Sequence, residues 1–322
     1  MSGRRALVTG GAGFIGSHLA DRLIAGGYHV RALDDLSTGS LSNVAHLEGS
    51  SAFELTTGSV LDGELVGSLV RDCDLVFHLA AAVGVEYVIH NQIKAMNVNV
   101  RGTEVVLEHA SRMRKKAILF STSEIYGKSE AVPFKEGDDS ALGPTTVARW
   151  GYAVTKALDE IMALAYSRER GLKVVIVRCF NTCGPRQTGR YGMVVPRFAK
   201  QALAGEPITV FGDGSQTRCF AYVGDVVDGV ARLAECEQAT GEIFNIGSDR
   251  EVTIMELARE VKRVSGSASP IRNIPYSEAY GEGFEDMTRR VPDLSKIRAL
   301  IGYEARTDLE GIIRSVLESP KS

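Results

Sequence analysis

Long apolar runs are missing from this chain of 322 residues. None reaches the length of a membrane-spanning helix, and Met1 to Arg5 lead into a strand-like segment without the pattern of a signal peptide. No membrane partner is expected. An excess of one charge is missing too: the formal net charge is -3, which argues against a strongly basic surface and against nucleic acid as the main partner. Cysteine is sparse and odd in number, at Cys73, Cys179, Cys183, Cys219 and Cys236. No pair has zinc-finger spacing, so no metal is expected, and reduced thiols in a cytoplasmic protein are. Internal repeats and low-complexity tracts are also lacking. What remains is 44% hydrophobic and 24% charged, an ordinary globular composition in a chain long enough for a large core.

Within that composition, short apolar runs alternate with amphipathic stretches. Residues 6–8, 29–33, 53–55, 75–79, 117–121 and 174–177 read as buried strands. Residues 14–25, 103–113 and 152–168 read as helices between them. Apolar strands alternating with helices predict an α/β fold, a doubly wound parallel Rossmann sheet covered on both faces. The pattern changes after Arg178. Residues 194–204, 254–265, 294–301 and 309–317 read as helices, 208–220 as a hairpin, and 267–292 as irregular. A strand near 242–246 is expected to rejoin the sheet. The chain is thus divided into a dinucleotide-binding domain over 1–178 and a smaller C-terminal substrate lobe over 179–322, interleaved with the first.

The first strand runs into Thr9-Gly10-Gly11-Ala12-Gly13-Phe14-Ile15-Gly16-Ser17 and then a helix. Gly10 and Gly13 allow a tight turn and close approach to a pyrophosphate, and Gly16 allows the helix to pack on the strand. The helix N-terminus offers free N–H groups to the phosphates. Asp34 ends the second strand, ahead of Asp35-Leu36-Ser37, where a carboxylate receives ribose hydroxyls and repels a 2′-phosphate. The cofactor expected is therefore NAD.

Tyr152 and Lys156 lie four apart on a predicted helix and share a face. An ammonium beside a phenol lowers the phenol's pKa, and such a phenol can take a proton from a sugar hydroxyl as hydride leaves. Thr122, in Ser121-Thr122-Ser123-Glu124, follows a buried strand at the carboxyl edge, where ligands bind in open α/β sheets.

Together the glycine loop, His78-Leu79-Ala80-Ala81, Asn99-Val100-Arg101-Gly102-Thr103, Thr122, Tyr152 and Lys156 resemble the extended short-chain dehydrogenase/reductase superfamily, in its NAD-dependent nucleotide-sugar epimerase/dehydratase branch. The resemblance spans nearly the whole chain. It implies cofactor contacts from Gly10, Gly13, Phe14, Ile15, Gly16, Asp34, Ser37, Leu79, Ala80, Ala81, Asn99, Tyr152 and Lys156. It implies a UDP-sugar held by Ser123, Arg149, Asn181, Arg186, Val210, Phe211, Arg218 and Arg290. Family members usually dimerise through two long helices from each subunit, for which 99–113 and 152–168, with Val105, Val106, Ile161 and Leu164, are the candidates. A homodimer is therefore expected.

Three features are similar to UDP-glucuronate decarboxylases, of the UDP-xylose and UDP-4-keto-pentose-forming types: Thr122-Ser123-Glu124, Arg149-Trp150, and the segment 279–293 with Arg290. By that resemblance the catalytic set is Thr122, Glu124, Tyr152, Lys156 and Arg290, with Arg290 a contact to the substrate carboxylate or a proton donor. The stretch 82–87 instead looks epimerase-like. Plain 4-epimerisation, of UDP-glucose and UDP-galactose or of the corresponding uronates, is the alternative. A non-catalytic NAD-binding regulator on the same fold is the remote one.

Overall fold

The computed structural model describes residues 3–83, 88, 90–189, 193–276, 278 and 287–319. Most of the epimerase-like stretch 82–87 and residues 279–286 lie outside the described residues. The strands in chain order are β1 (Arg5–Thr9), β2 (His29–Asp34), β3 (Phe53–Thr57), β4 (Leu75–His78), β5 (Lys116–Thr122), β6 (Val174–Cys179) and β7 (Thr182–Cys183). Then come β8 (Ile208–Phe211), β9 (Thr217–Cys219), β10 (Ala221–Tyr222), β11 (Ile243–Ile246), β12 (Glu251–Thr253) and β13 (Ile271–Ile274).

Seven strands form one sheet in the order β3-β2-β1-β4-β5-β6-β11, and every neighbouring pair is parallel. Its strands are apolar because both faces are covered. One face packs on the helices Phe14–Ala25 and Val223–Glu235, through Leu19, Leu23, Val226 and Val230. The other packs on Gly63–Arg71, Gly102–Arg112 and Trp150–Arg170, through Val66, Val106 and Ala163. Register places Thr9 beside His78 and Thr122 beside Cys179, so the chemistry-bearing residues share the carboxyl edge. Strand order reverses between β1 and β4, and at such a switch point a crevice opens for a dinucleotide.

A second hydrophobic core joins Val195, Phe198, Ile208, Leu257, Val261 and Ile313. Its helices are Val194–Ala204, Ile254–Ser265 and Leu309–Leu317. The Ile254–Ser265 helix starts on a reciprocal cap, with Thr253 accepting from the Glu256 N–H and Glu256 from the Thr253 N–H. Strand β11 does rejoin the large sheet, beside β6.

The hairpin expected over 208–220 does not form. β8 pairs in parallel with β13, and β9 pairs antiparallel with β12. The turn Gly212-Asp213-Gly214 therefore turns the chain between two separate ribbons. β13 also lies inside the segment 267–292, which the sequence left irregular. Four residues, Ile271 to Ile274, become a strand because β8 offers them an edge.

Candidate active site

The carboxyl edge of the sheet and the second core enclose a cleft of about 510 Å³. Its cofactor end is built on β1. At Gly16 an added Cβ would lie 2.1 Å from the Gly10 carbonyl oxygen, and at Gly10 (φ +72°) it would lie 3.0 Å from the Ala80 nitrogen. Only hydrogen fits at either position, so the loop backbone stays open to the cleft. Thr9 Oγ1 accepts the N–H groups of Leu79 and Ala80, both at 3.2 Å, which fixes the next wall. Asp34 accepts from Ala12 N at 2.9 Å and Leu36 N at 2.8 Å. Burial nevertheless raises its carboxyl above the ordinary range. Gly10, Gly13, Phe14, Ile15, Gly16, Asp34, Ser37, Leu79, Ala80 and Ala81 all line this end. A backbone cradle closed to any Cβ, followed by a buried carboxylate at the end of β2, fits a dinucleotide.

Asn99 does not line the cleft. It sits in a π turn over Asn97–Arg101 and is 1% exposed. Its Oδ1 accepts from Ala82 N at 2.7 Å and its Nδ2 donates to Thr155 Oγ1 at 3.2 Å. It ties the wall after β4 to the Trp150–Arg170 helix and stands behind the surface a cofactor would touch.

The middle of the cleft gathers Thr122, Ser123, Glu124, Arg149, Tyr152, Lys156 and Arg290. Thr122 accepts from Glu124 N at 3.2 Å, which starts the short turn Ser123–Tyr126 and turns Glu124 inward. The same Thr122 hydroxyl hydrogen-bonds the Tyr152 phenol. That phenol is pushed up rather than down, chiefly by burial and then by the charge of Glu124. The lowering expected from Lys156 does not outweigh these effects; its ammonium pairs with Asp159 Oδ2 at 3.0 Å.

Glu124 lies between two guanidinium groups, Arg290 at 2.8 Å and Arg149 at 3.3 Å. Arg290 also donates to Ser123 Oγ at 3.4 Å. Arg290 is held in place by its neighbours along the chain. Phe134 donates to the Val291 carbonyl at 2.8 Å, Asp293 donates back to Phe134 at 2.8 Å, and Asn245 Nδ2 donates to Phe134 O at 2.9 Å. Beneath the turn, Arg178 pairs with Glu160 at 2.7 Å, and Glu160 accepts from Ser121. None of these supports is visible in a motif.

At the far end, Asn181, Phe211 and Arg218 line the cleft. Two residues not foreseen join them. The Arg197 guanidinium lies 3.9 Å from the Phe211 ring centroid, and an added Cβ on Gly212 would meet the Tyr276 ring at 2.6 Å. Arg186 and Val210 do not join them. Arg186 pairs with Asp21 of the Phe14–Ala25 helix at 2.8 Å, and Val210 is fully buried in the second core because strand alternation turns it away from the cleft. The neighbouring Phe211 takes the cleft side.

A profile of the NAD dependent epimerase/dehydratase family matches residues 6–247. A UDP-N-acetyl-alpha-D-glucosaminuronate decarboxylase of Bacillus cytotoxicus is 40% identical over 98% of this chain and 97% of its own length. UDP-glucuronic acid decarboxylase 1 of Danio rerio is 38% identical over 95% of this chain and 70% of its own length. Among solved structures, a UDP-glucuronic acid 4-epimerase of Bacillus cereus, in complex with UDP-glucuronic acid and NAD, superposes with a TM-score of 0.84. It is 29% identical and 98% of each chain is covered.

Proposed function

Because this chain belongs to the NAD dependent epimerase/dehydratase family, with NAD as its cofactor, we propose that it decarboxylates a UDP-hexuronate, UDP-glucuronate in the first place, to a UDP-pentose or UDP-4-keto-pentose. The observation that carries this reading is the arrangement of Glu124 between Arg149 and Arg290 beside Tyr152. Guanidinium groups at this point of the cleft can bind a carboxylate with charge-assisted hydrogen bonds, which suits an anionic sugar.

The glycine loop and Asp34 would hold NAD, which would supply a hydride acceptor for C4 of the sugar. The chain's own groups do the rest. Thr122 and Tyr152 hold the C4 hydroxyl, and Tyr152 takes its proton. Arg290 grips the C5 carboxylate with two parallel hydrogen bonds. Oxidation at C4 makes that carboxylate part of a β-keto acid. The C5–carboxyl bond then breaks, CO2 leaves, the electron pair stays on the sugar, and C5 gains a proton, giving a UDP-4-keto-pentose; return of the hydride to C4 would give the UDP-pentose. Glu124 and Arg290 are the groups placed to manage that proton. The nucleotide is held at the far end, its base against Phe211 and its phosphates near Arg218 and Asn181.

The alternative, 4-epimerisation of the same acid, draws support from the UDP-glucuronic acid 4-epimerase that shares this fold. The deciding measurement is release of labelled CO2 from UDP-glucuronate and its 2-acetamido counterpart, run beside interconversion of UDP-glucose and UDP-galactose. CO2 release is expected. Conversion of UDP-glucuronate to UDP-galacturonate without CO2 would leave the epimerase reading standing instead.

No helix among the described residues is long and apolar enough to cross a membrane. Five free thiols suit a cytoplasmic setting. The protein is further proposed to be a homodimer. Val154, Leu158 and Ile161 are 46%, 41% and 63% exposed on the Trp150–Arg170 helix, and Met96, 45% exposed, lies beside it, its Cε 3.7 Å from where a Cβ on Gly151 would sit. An apolar stripe of this kind marks an interaction face. Of the four residues first suggested for it, Ile161 is exposed, Val105 and Leu164 are partly buried against the core, and Val106 is wholly inside it. Light scattering at micromolar concentration should give a dimer for the wild type and a monomer for Ile161→Glu. A monomeric wild type would contradict the assignment.

A further inference from the structure

The Lys156 ammonium and the Asp159 carboxylate form an ion pair whose side chains are 3% and 0% exposed. Burying two charges is costly, and such a pair persists where geometry and further hydrogen bonds repay the desolvation. Here Asp159 raises that cost further, because its Oδ1 is buried with no hydrogen-bond partner.

Every element packed around the pair leaves Asp159 as the counterion. On the same helix burial holds the Tyr152 phenol above its ordinary range, and Glu160 turns to Arg178 at 2.7 Å. From the Gly102–Arg112 helix, the Thr103 hydroxyl favours the charged form of Asp159, against burial, which raises its carboxyl. At the end of β4, His78 is bonded through one ring nitrogen to Thr9 Oγ1 at 2.8 Å and through the other to Thr103 Oγ1 at 3.1 Å. Burial lowers His78 to about 3, so it adds no charge. At the end of β6, burial lifts the Cys179 thiol to about 12, so it stays protonated. Glu124, after β5, is taken up by Arg149 and Arg290.

We propose that Asp159 is a positioning residue for the reaction: it holds the Lys156 ammonium in one place and in its charged form, one helical turn from Tyr152. The proposal rests on the reading of Tyr152 and Lys156 as the C4-oxidising pair, which decarboxylation and epimerisation share. It does not depend on which product is made.

An ammonium stripped of its partner in a buried site gives up its proton more readily. Asp159→Asn keeps the shape and removes the charge. Activity of the variant should therefore be closest to wild type at low pH and fall away as pH rises, on a limb the wild type lacks in that range. Near pH 8 the loss in kcat should be between ~10- and ~100-fold, below the ~10²–10⁴-fold carried by a general acid–base group itself. KM for UDP-glucuronate should stay within about 3-fold, since the sugar is bound elsewhere in the cleft. Thr103→Val, which removes a hydroxyl supporting Asp159, should move the profile the same way by less.

Full activity in Asp159→Asn, or a uniform loss that keeps the wild-type pH profile, overturns the proposal. Should the asparagine variant fail to fold, an unchanged pH profile in Thr103→Val overturns it too. A wild type that is idle on UDP-glucuronate but turns over UDP-glucose would refute the decarboxylase reading alone. The same comparison is then made on UDP-glucose, with the same outcomes for Asp159.

Discussion

Tyr152→Phe is expected to lose on the order of 10²–10⁴-fold in kcat, the range for removal of a general acid–base group, while folding and binding NAD as the wild type does. The phenol is in contact with Thr122, and loss of one hydroxyl leaves the ring to pack as before. Burial and Glu124 hold the phenol above its ordinary range, so Tyr152 must lose its own proton before it can take that of the C4 hydroxyl, a loss that the positive charge of bound NAD would favour. A variant that keeps most of its turnover would show that another group is the base. Stoichiometric NAD binding by fluorescence, beside single-turnover kinetics, separates the two effects.

Arg290→Lys is expected to reduce CO2 release by about 10²-fold. That lies within the cost of about 2–5 kcal/mol for truncating one partner of a buried, hydrogen-bonded charge pair. Lysine keeps the charge, but it has one ammonium where the guanidinium bonds to Glu124 and Ser123 with separate nitrogens. It cannot hold Glu124 and grip a second carboxylate along parallel bonds. UDP, which has no carboxylate, should bind the variant and the wild type equally well. An equal loss of UDP affinity would place Arg290 at the nucleotide instead of the sugar. Glu124→Gln should slow CO2 release more than it weakens NAD binding, because Glu124 lies with the arginines and not with the glycine loop.

The sequence displayed what is decided locally. The helices Phe14–Ala25, Val194–Ala204 and Ile254–Ser265 fall on the residues their periodicity marks, and each is closed by a glycine, Gly26, Gly205 and Gly266. Central strands were equally legible, being short apolar runs bounded by polar residues. The second core was harder. Whether Ile208 pairs with Thr217 or with Ile271 depends on chain segments far apart, and a Gly-Asp-Gly turn is compatible with either. The same limit holds at the cleft. Tyr152 and Lys156 were found by spacing, but Asp159, three residues further on, reads as one more polar position on a helix. Only the burial of Lys156 shows that it needs a counterion. Arg186 and Val210 were carried over with segments whose neighbours do line the cleft, and strand alternation and an outward ion pair separate them from it.

Arg289 and Arg290 stand side by side and serve opposite ends. Arg289 pairs with Glu251 of β12 on the exposed side at 2.8 Å, and Arg290 reaches Glu124 in the cleft. Extended backbone sends successive side chains to opposite faces, so a slip of one residue would exchange the two. The register is pinned on both sides of the pair, by Thr217 N donating to the Thr288 carbonyl at 3.0 Å and by Phe134 N donating to that of Val291. Insertions or deletions upstream of Met287 can therefore accumulate without disturbing Arg290. One residue added between Thr288 and Val291 cannot. A change in loop length that spares Arg290 must therefore fall outside this two-bond clamp, and so must a new recognition segment grafted onto this cleft.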